Sequence, residues 1–262
     1  MDTHCHINTD PLCSQASEVL RRAGEAGVKR ILVVGSTPSD SAEAVRLARL
    51  YAAEGVFAAV GIHPHDSKLV EDELPEELLK LAEDPRVAAI GETGLDYHYD
   101  HSPRDVQRRV FRLHAEWARR TNKPLVIHVR EAMEDALALL KSLPFDAARE
   151  LRLLFHCYAG GLEYMNEVKA LDAYISLAGP VTWAKNDALR ETAAQAPEDR
   201  LLCETDAPWL TPRPYRGKTN EPAFVRFVYE TVAEVRGISV EDLCRITDAN
   251  AERLFGWGSL YA

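Results

Sequence analysis

Short apolar runs recur at near-regular intervals along the whole chain, and this spacing restricts the possible folds more than any other feature. After the opening segment "MDTHCHIN" come "KRILVVGS", "VFAAVGIHP", "VAAIGETGLD", "PLVIHVR", "LRLLFHCYAG", "AYISLAGPV" and "RLLCETDAP", eight in all. Their near-continuous Val, Ile, Leu and Ala content suits strands covered on both faces, as in a parallel sheet. Helical patterns lie between them. "SDSAEAVRLARLYAAEG" opens with capping-type residues and ends at Gly55, and "SPRDVQRRVFRLHAEWARRTN" carries Val106, Val110, Leu113 and Trp117 on one face. "NDALRETAAQAPE" follows the seventh run and "EPAFVRFVYETVAEVRG" the eighth. Alternating strand and helix means α/β architecture. Eight such units in 262 residues predict a (β/α)8 TIM-type barrel, with "SVEDLCRITDANAERLFGWG" as one or two extra C-terminal helices. A doubly wound open sheet is the alternative, but it calls for a glycine-rich turn after an early strand, and no G-x-G-x-x-G occurs. No linker or repeat interrupts the chain, so residues 1–262 are expected to form one domain.

Composition narrows the function classes. No apolar run is long enough to span a bilayer and no signal-peptide pattern is present, so the expectation is a cytoplasmic protein with no membrane partner. Five cysteines without a C-x-x-C pair argue against a disulfide framework and against a zinc knuckle. A formal net charge of −10 argues against a broad electrostatic surface for nucleic acid. Any attraction for phosphate must be local.

The last residues of the apolar runs carry that possibility. The first run holds His4 and His6, the third ends in His63 and His65, and the fourth reaches Glu92. The fifth ends in His128, the sixth in His156 and the eighth in Asp206, whereas the second and seventh contribute no such group. In an extended segment, His4 and His6 share one face and Cys5 takes the other. In a (β/α)8 barrel these strand ends converge on one mouth. Imidazoles and carboxylates meeting there without thiolates describe a mixed nitrogen–oxygen site for one or two divalent metals. A carboxylate such as Glu92 can bridge two ions, and Asp206 is placed as ligand and general base for an attacking water. Taken singly, each residue has a plainer role: His156 as a core histidine, Glu92 as a cap, Asp206 as a turn residue before Pro208. His98 and His101 read as solvated loop residues and His114 as structural.

The stretches "DTHCHI", "GIHPHD", "GETGLDYHYD", "KPLVIHVREA", "FHCYAGG", "ETDAPWLTP", "NEPAFV" and "NAERLFG" run in order from residue 2 to residue 256. In these motifs the chain resembles the TatD-like metal-dependent deoxyribonucleases, within the amidohydrolase-type barrels. "GETGLDY" together with "ETDAPWL" is the specific part. The resemblance implies that His4, His6, Glu92, His128, His156 and Asp206 hold two divalent metal ions, with Glu92 bridging and Glu92 and Asp206 catalytic. It places His63 and His65 at the substrate phosphate. It also implies a hydrolase of DNA phosphodiesters, a 3′–5′ exonuclease on single-stranded ends, using Mg²⁺. One departure is that only Met1 precedes Asp2, so a short first strand is expected. No lysine stands near Glu92 to serve as a carbamylated bridge, which argues against hydantoinase-type relatives.

Four histidines are softer donors than Mg²⁺ prefers and suit Zn²⁺ or Mn²⁺. Two divalent cations outweigh the charges of Glu92 and Asp206, so a net positive loaded site is expected. Arg130 is a further candidate phosphate contact, and Arg213, Arg216 and Lys218 follow the eighth strand. Tyr97, Tyr158 and Trp209 are candidates to stack an unpaired base. The same hydrolytic chemistry fits another ester or amide, small or tRNA-linked, and a metal-bound interaction scaffold is the non-enzymatic reading. No obligate protein partner is indicated.

Overall fold

A computed structural model describes residues 1–143 and 151–258. Eight strands form one sheet in the order of the chain, with every neighbouring pair parallel. They are β1 (Asp2–Cys5), β2 (Ile31–Val34), β3 (Val56–Val60), β4 (Val87–Asp96), β5 (Leu125–Arg130), β6 (Leu153–Phe155), β7 (Tyr174–Leu177) and β8 (Leu201–Cys203). The sheet curls until its first strand meets the segment after its last. His6 N donates to Ala207 O at 2.7 Å and Asp206 N donates to His4 O at 2.9 Å. The architecture is the (β/α)8 barrel that the alternation implied.

The helices are α1 (Ala16–Glu25), α2 (Pro38–Leu50), α3 (Glu76–Leu81), α4 (Arg104–Thr121), α5 (Met133–Ser142), α6 (Met165–Ala170), α7 (Asp187–Gln195), α8 (Val225–Arg236) and α9 (Val240–Phe255). In α2, Thr37 caps the first turn through Asp40 N and Pro38 sits at a helix start, where its missing N–H costs nothing. In α4, Val110, Phe111 and Trp117 are buried, whereas Val106 and Leu113 are only partly covered. The C-terminal segment forms a single helix, α9, capped by Ser239 and ended by Gly256 at φ 68°.

Two apolar layers follow from strand alternation. Outward side chains pack under the helices. Inward ones, among them Leu32, Val34, Phe57, Val126, Leu154, Tyr174 and Leu202, form a second cluster with Leu254, Phe255 and Trp257 from the end of α9. Trp257 is fully buried and stacks on Phe57 (ring centroids 5.2 Å apart) and on Phe255 (4.7 Å). The extra helix therefore plugs one end of the barrel. Counting two residues further along the same inward rows gives His128 after Val126, His156 after Leu154, Ser176 after Tyr174 and Glu204 after Leu202. The interior thus changes from apolar to polar within one alternation step, at the C-terminal ends of the strands.

His114 joins α4 to this end. Its Nδ1–H donates to Val110 O at 2.8 Å, and its Nε2 accepts from Ile62 N at 3.0 Å, one residue before His63. Burial lowers its pKa to about 4. The folded state thus resists a proton that the unfolded chain takes up near its ordinary value of 6.5. The stability contributed by neutral His114 is complete above that value and is lost as pH falls through about 4.

Two outcomes are expected. Trp257→Ala should lower unfolding stability by about 3–5 kcal/mol, seen as an earlier urea midpoint, because the plug loses its largest side chain. Comparing urea unfolding of the parent and His114→Gln across the acid range, the parent should show roughly 3 kcal/mol more loss on acidification.

Candidate metal centre

Strand alternation brings His4 and His6 to one face of β1, and their Nε2 atoms lie 3.0 Å apart. Glu92 Oε2 lies 3.4 Å from His4 Nε2 and 3.5 Å from His6 Nε2. Asp206 Oδ1 lies 3.7 and 3.6 Å from the same two nitrogens. The other oxygen of Glu92, Oε1, stands 2.8 Å from His156 Nε2 and 3.0 Å from His128 Nδ1, and those two nitrogens are 3.3 Å apart. One carboxylate therefore serves two donor groups. Donors about 2.1 Å from a shared ion are about 3.0–3.4 Å from one another, and the two groups, at 2.8–3.3 and 3.0–3.7 Å, lie close to that spacing.

Partners behind the rings decide which nitrogens offer lone pairs. His6 Nδ1–H donates to Val34 O at 2.9 Å, leaving Nε2 unprotonated in the neutral ring. His128 Nε2 lies 3.2 Å from Asp96 Oδ2, and His156 Nδ1 lies 3.3 Å from Glu204 Oε1. Both carboxylates fix the outer nitrogen as donor and turn the inner lone pair toward Glu92. His128 and His156 then present two lone pairs to each other, an arrangement that repels unless a cation lies between. The donor set fits divalent metal ions.

His63 has a different role. Its Nδ1 accepts from His65 N at 3.1 Å, so Nε2 carries the proton and points at Glu92 Oε1 from 3.5 Å. Burial drives its pKa well below the ordinary histidine value despite the charge of Glu92, so the ring is a neutral donor at the edge of the site. His65 Nε2 lies 2.9 Å from Asp96 Oδ2, which links it through Asp96 to His128.

Electrostatics reinforce the geometry. Burial opposes protonation of His6, yet Asp206 and Glu92 raise its pKa to about 9. The same contest lifts His156 through Glu92 and Glu204, and His128 through Asp96 and Glu92. Burial would raise Glu92, but His156, His63 and His128 hold its carboxyl well below the usual range. The pocket demands positive charge, which protons or metal ions can supply.

Asp96 and Glu204 went unnoticed in the sequence. Asp96 Oδ1 accepts from His98 N (3.0 Å) and Tyr99 N (2.9 Å), while Gln107 Oε1 receives Asp96 N at 2.8 Å. Glu204 also accepts from Cys157 N at 2.7 Å and from the Ser176 hydroxyl. The available signal was proximity: Glu204 is two residues from Asp206, and Asp96 four from Glu92 within the same strand β4. Ser176 shows that the seventh strand does contribute, and the second contributes through the Val34 carbonyl. Glu92 sits within β4, not at its end, where the ladder to β5 shifts register between Ile90 and Thr93. These additions correct the charge balance. Glu92, Asp206, Asp96 and Glu204 bring four formal negative charges to the centre, so two divalent ions would leave no formal excess in place of the net positive site expected.

The remaining candidates divide. Trp209 is half exposed (50%) with its ring edge-on to His6 at 5.0 Å, free to meet a base. Tyr158 is buried and donates to Gly161 O, so it is a packing residue. Tyr97 is held by Asp135 at 2.6 Å, with Arg104 over its ring at 4.2 Å. Arg130 is exposed, its guanidinium 4.6 Å from the Tyr99 ring centre. Arg216 lies over Trp183 at 4.4 Å and Lys218 over Tyr215 at 5.4 Å, which ties them to the loops after β7 and β8. His98 and His101 are exposed loop residues, as expected. His98 Nδ1 lies 2.7 Å from Glu131 Oε1, and His101 packs edge-on to His65 at 4.7 Å.

A parallel barrel with such a histidine–carboxylate centre at the C-terminal ends of its strands defines a metal-dependent hydrolase. The sequence profile described as "TatD related DNase" matches residues 1–256, and the chain belongs to this TatD family. It is 39% identical over 254 residues to the "Uncharacterized metal-dependent hydrolase YabD" of Bacillus subtilis (strain 168), covering 97% of this chain and 98% of that one. It is 34% identical to the "3'-5' ssDNA/RNA exonuclease TatD" of Erwinia amylovora, covering 97% and 99%. The crystal structure of YJJV, a TatD homolog from Escherichia coli k12, superposes with a TM-score of 0.87 at 26% identity, covering 97% of each chain. Among the described residues, no helix is long and apolar enough to cross a membrane.

If Asp96 orients His128 as a ligand, Asp96→Asn should weaken divalent-metal binding by about 10–100-fold in a calorimetric Mn²⁺ titration, with the circular-dichroism spectrum unchanged. An unaltered isotherm would place Asp96 outside the metal-binding machinery.

Proposed function

We propose that this hydrolase cleaves phosphodiester bonds at single-stranded DNA ends, as a 3′–5′ exonuclease. The observation that carries the reading is the division of Glu92 between two imidazole pairs, His4/His6 and His128/His156, which suits a two-ion centre of the kind used for phosphoryl displacement. Its likeness to relatives named as single-stranded DNA/RNA exonucleases supports the substrate class.

His4, His6, Glu92 and Asp206 would hold one ion and Glu92, His128 and His156 the other. Mg²⁺ is the metal the family resemblance implies, and the imidazole-rich set also suits Mn²⁺ or Zn²⁺. When bound, such ions supply Lewis acidity toward phosphate and acidify water. The chain's own residues do the rest. Asp206, partly open beside His6, takes the proton from the attacking water as its oxygen bonds to phosphorus. The bond from phosphorus to the O3′ of the preceding nucleotide breaks, and that oxygen takes a proton from solvent water at the mouth, while Asp206 later returns its own proton to solvent. His63 Nε2–H donates to a non-bridging phosphate oxygen, and neutrality lets it do so without trapping the product. His65 and Arg130 flank the phosphate on the same side of the mouth. Trp209 offers a face for an unpaired base.

The test uses 5′-end-labelled single- and double-stranded DNA with metal-loaded protein. Glu92→Gln and Asp206→Asn should each cut nucleotide release by about 10²–10⁴-fold while thermal unfolding stays cooperative. Release that persists in both variants would refute the assignment.

A further inference from the structure

Helix α4 is unusual for so acidic a protein. It carries Arg104, Arg108, Arg109, Arg112, Arg119 and Arg120 against only Asp105 and Glu116. Three of these arginines line an open groove of about 590 Å³ between α4 and α5, together with Asp135, Leu139 and Ser142. Arg108 reaches the Tyr97 hydroxyl (3.1 Å) and Asp135 (3.2 Å). Arg112 donates to Ser142 Oγ at 3.1 Å and Arg109 to Val70 O at 2.7 Å and to Glu71 O. Among the described residues, neither Arg109 nor Arg112 pairs with a carboxylate. Two guanidiniums on neutral acceptors thus keep their charge uncompensated in one groove, on a chain whose net charge is −10.

The groove is not isolated from the metal centre. Asp135 also lines an adjoining cleft of about 700 Å³ shared by Tyr97, Arg130 and Tyr164. Arg130 ends β5, two residues after His128. A strand leaving the mouth beside Arg130 can enter this cleft, whose Glu131, Glu134 and Glu163 favour the amino edges of bases over phosphates. It then meets Arg108 and Arg112, one helical turn apart at about 6 Å. Guanidinium forks hold phosphate through paired hydrogen bonds, which suits them better than lysine to this task.

We propose that the α4–α5 groove is a second binding site for the phosphodiester backbone of the strand whose end occupies the metal centre, an inference that rests on the function proposed above. It predicts that length, not chemistry, depends on Arg112. The test measures fluorescence anisotropy of metal-loaded protein with a labelled, cleavage-resistant phosphorothioate oligothymidylate of about 12 nucleotides across a salt series. Arg112→Glu should weaken binding by about tenfold and reduce the log–log salt slope by about 0.7, the loss of one phosphate contact. Arg112→Lys should keep the slope. Arg245→Glu, the same charge change on α9, should leave affinity and slope as in the parent. Hydrolysis of a thymidine dinucleotide, too short to reach the groove, should be equal in parent and Arg112→Glu. Dinucleotide cleavage with strand binding indifferent to Arg112→Glu would overturn the groove and leave the nuclease reading standing. Equal losses in Arg112→Glu and Arg245→Glu would overturn it too, because the effect would then be global charge. Displacement of the oligonucleotide by micromolar inorganic phosphate would assign the groove to a free anion instead. Failure of the parent to cleave both the dinucleotide and an ordinary phosphodiester oligothymidylate of the same length would refute both readings.

Discussion

The cost of burying carboxylates beside one another governs the polar end of this barrel. Glu92 is almost completely shielded from water, and a lone buried carboxylate would take up a proton to escape that cost. It stays ionised because imidazoles crowd both of its oxygens. Three of those imidazoles, His6, His128 and His156, are in turn aimed by groups behind them: the Val34 carbonyl, Asp96 and Glu204. Moving any of these outer partners would rotate a ring and turn its lone pair away from the centre. The strands of the barrel and the residues just past their ends hold these partners in fixed positions.

The barrel also separates stability from chemistry along its axis. Phe57, Tyr174, Leu202 and the Trp257 plug fill the interior below the centre with apolar volume. Among the described residues, this packed apolar cluster closes the end of the barrel opposite the polar residues. His114 spans the two functions, since its ring fixes the backbone at Ile62 and so the start of the segment that carries His63 and His65.

For the nucleic-acid substrate proposed above, the net charge of −10 looks contradictory until charge is followed locally. The carboxylates Glu92, Asp206, Asp96 and Glu204 would offset the charge of bound metal ions, so on that proposal substrate affinity falls to coordination, to the His63 donor and to arginines outside the centre. Such a protein gains little from long-range attraction. It would bind strand ends weakly, short of the capture that basic nucleic-acid-binding proteins achieve.

The linear chain settled the architecture, because eight apolar runs alternating with amphipathic ones can bury themselves in few other ways. It also marked His4, His6, Glu92, His128, His156 and Asp206, since each stands at or near the end of an apolar run, where a polar residue is conspicuous. Asp96 and Glu204 escaped notice for the opposite reason: each lies beside a more conspicuous motif residue, and its role lies in a bond to a ring far away in the sequence. Tyr158 looked available for stacking and is buried, because exposure depends on how the loop after β6 folds back. His63 could be placed at the mouth from its position, but only the bond from His65 N to its Nδ1 decides that it donates a proton and offers no lone pair. Residue type and spacing are local properties, whereas tautomer, burial and charge balance are set by neighbours that the closed barrel alone brings together.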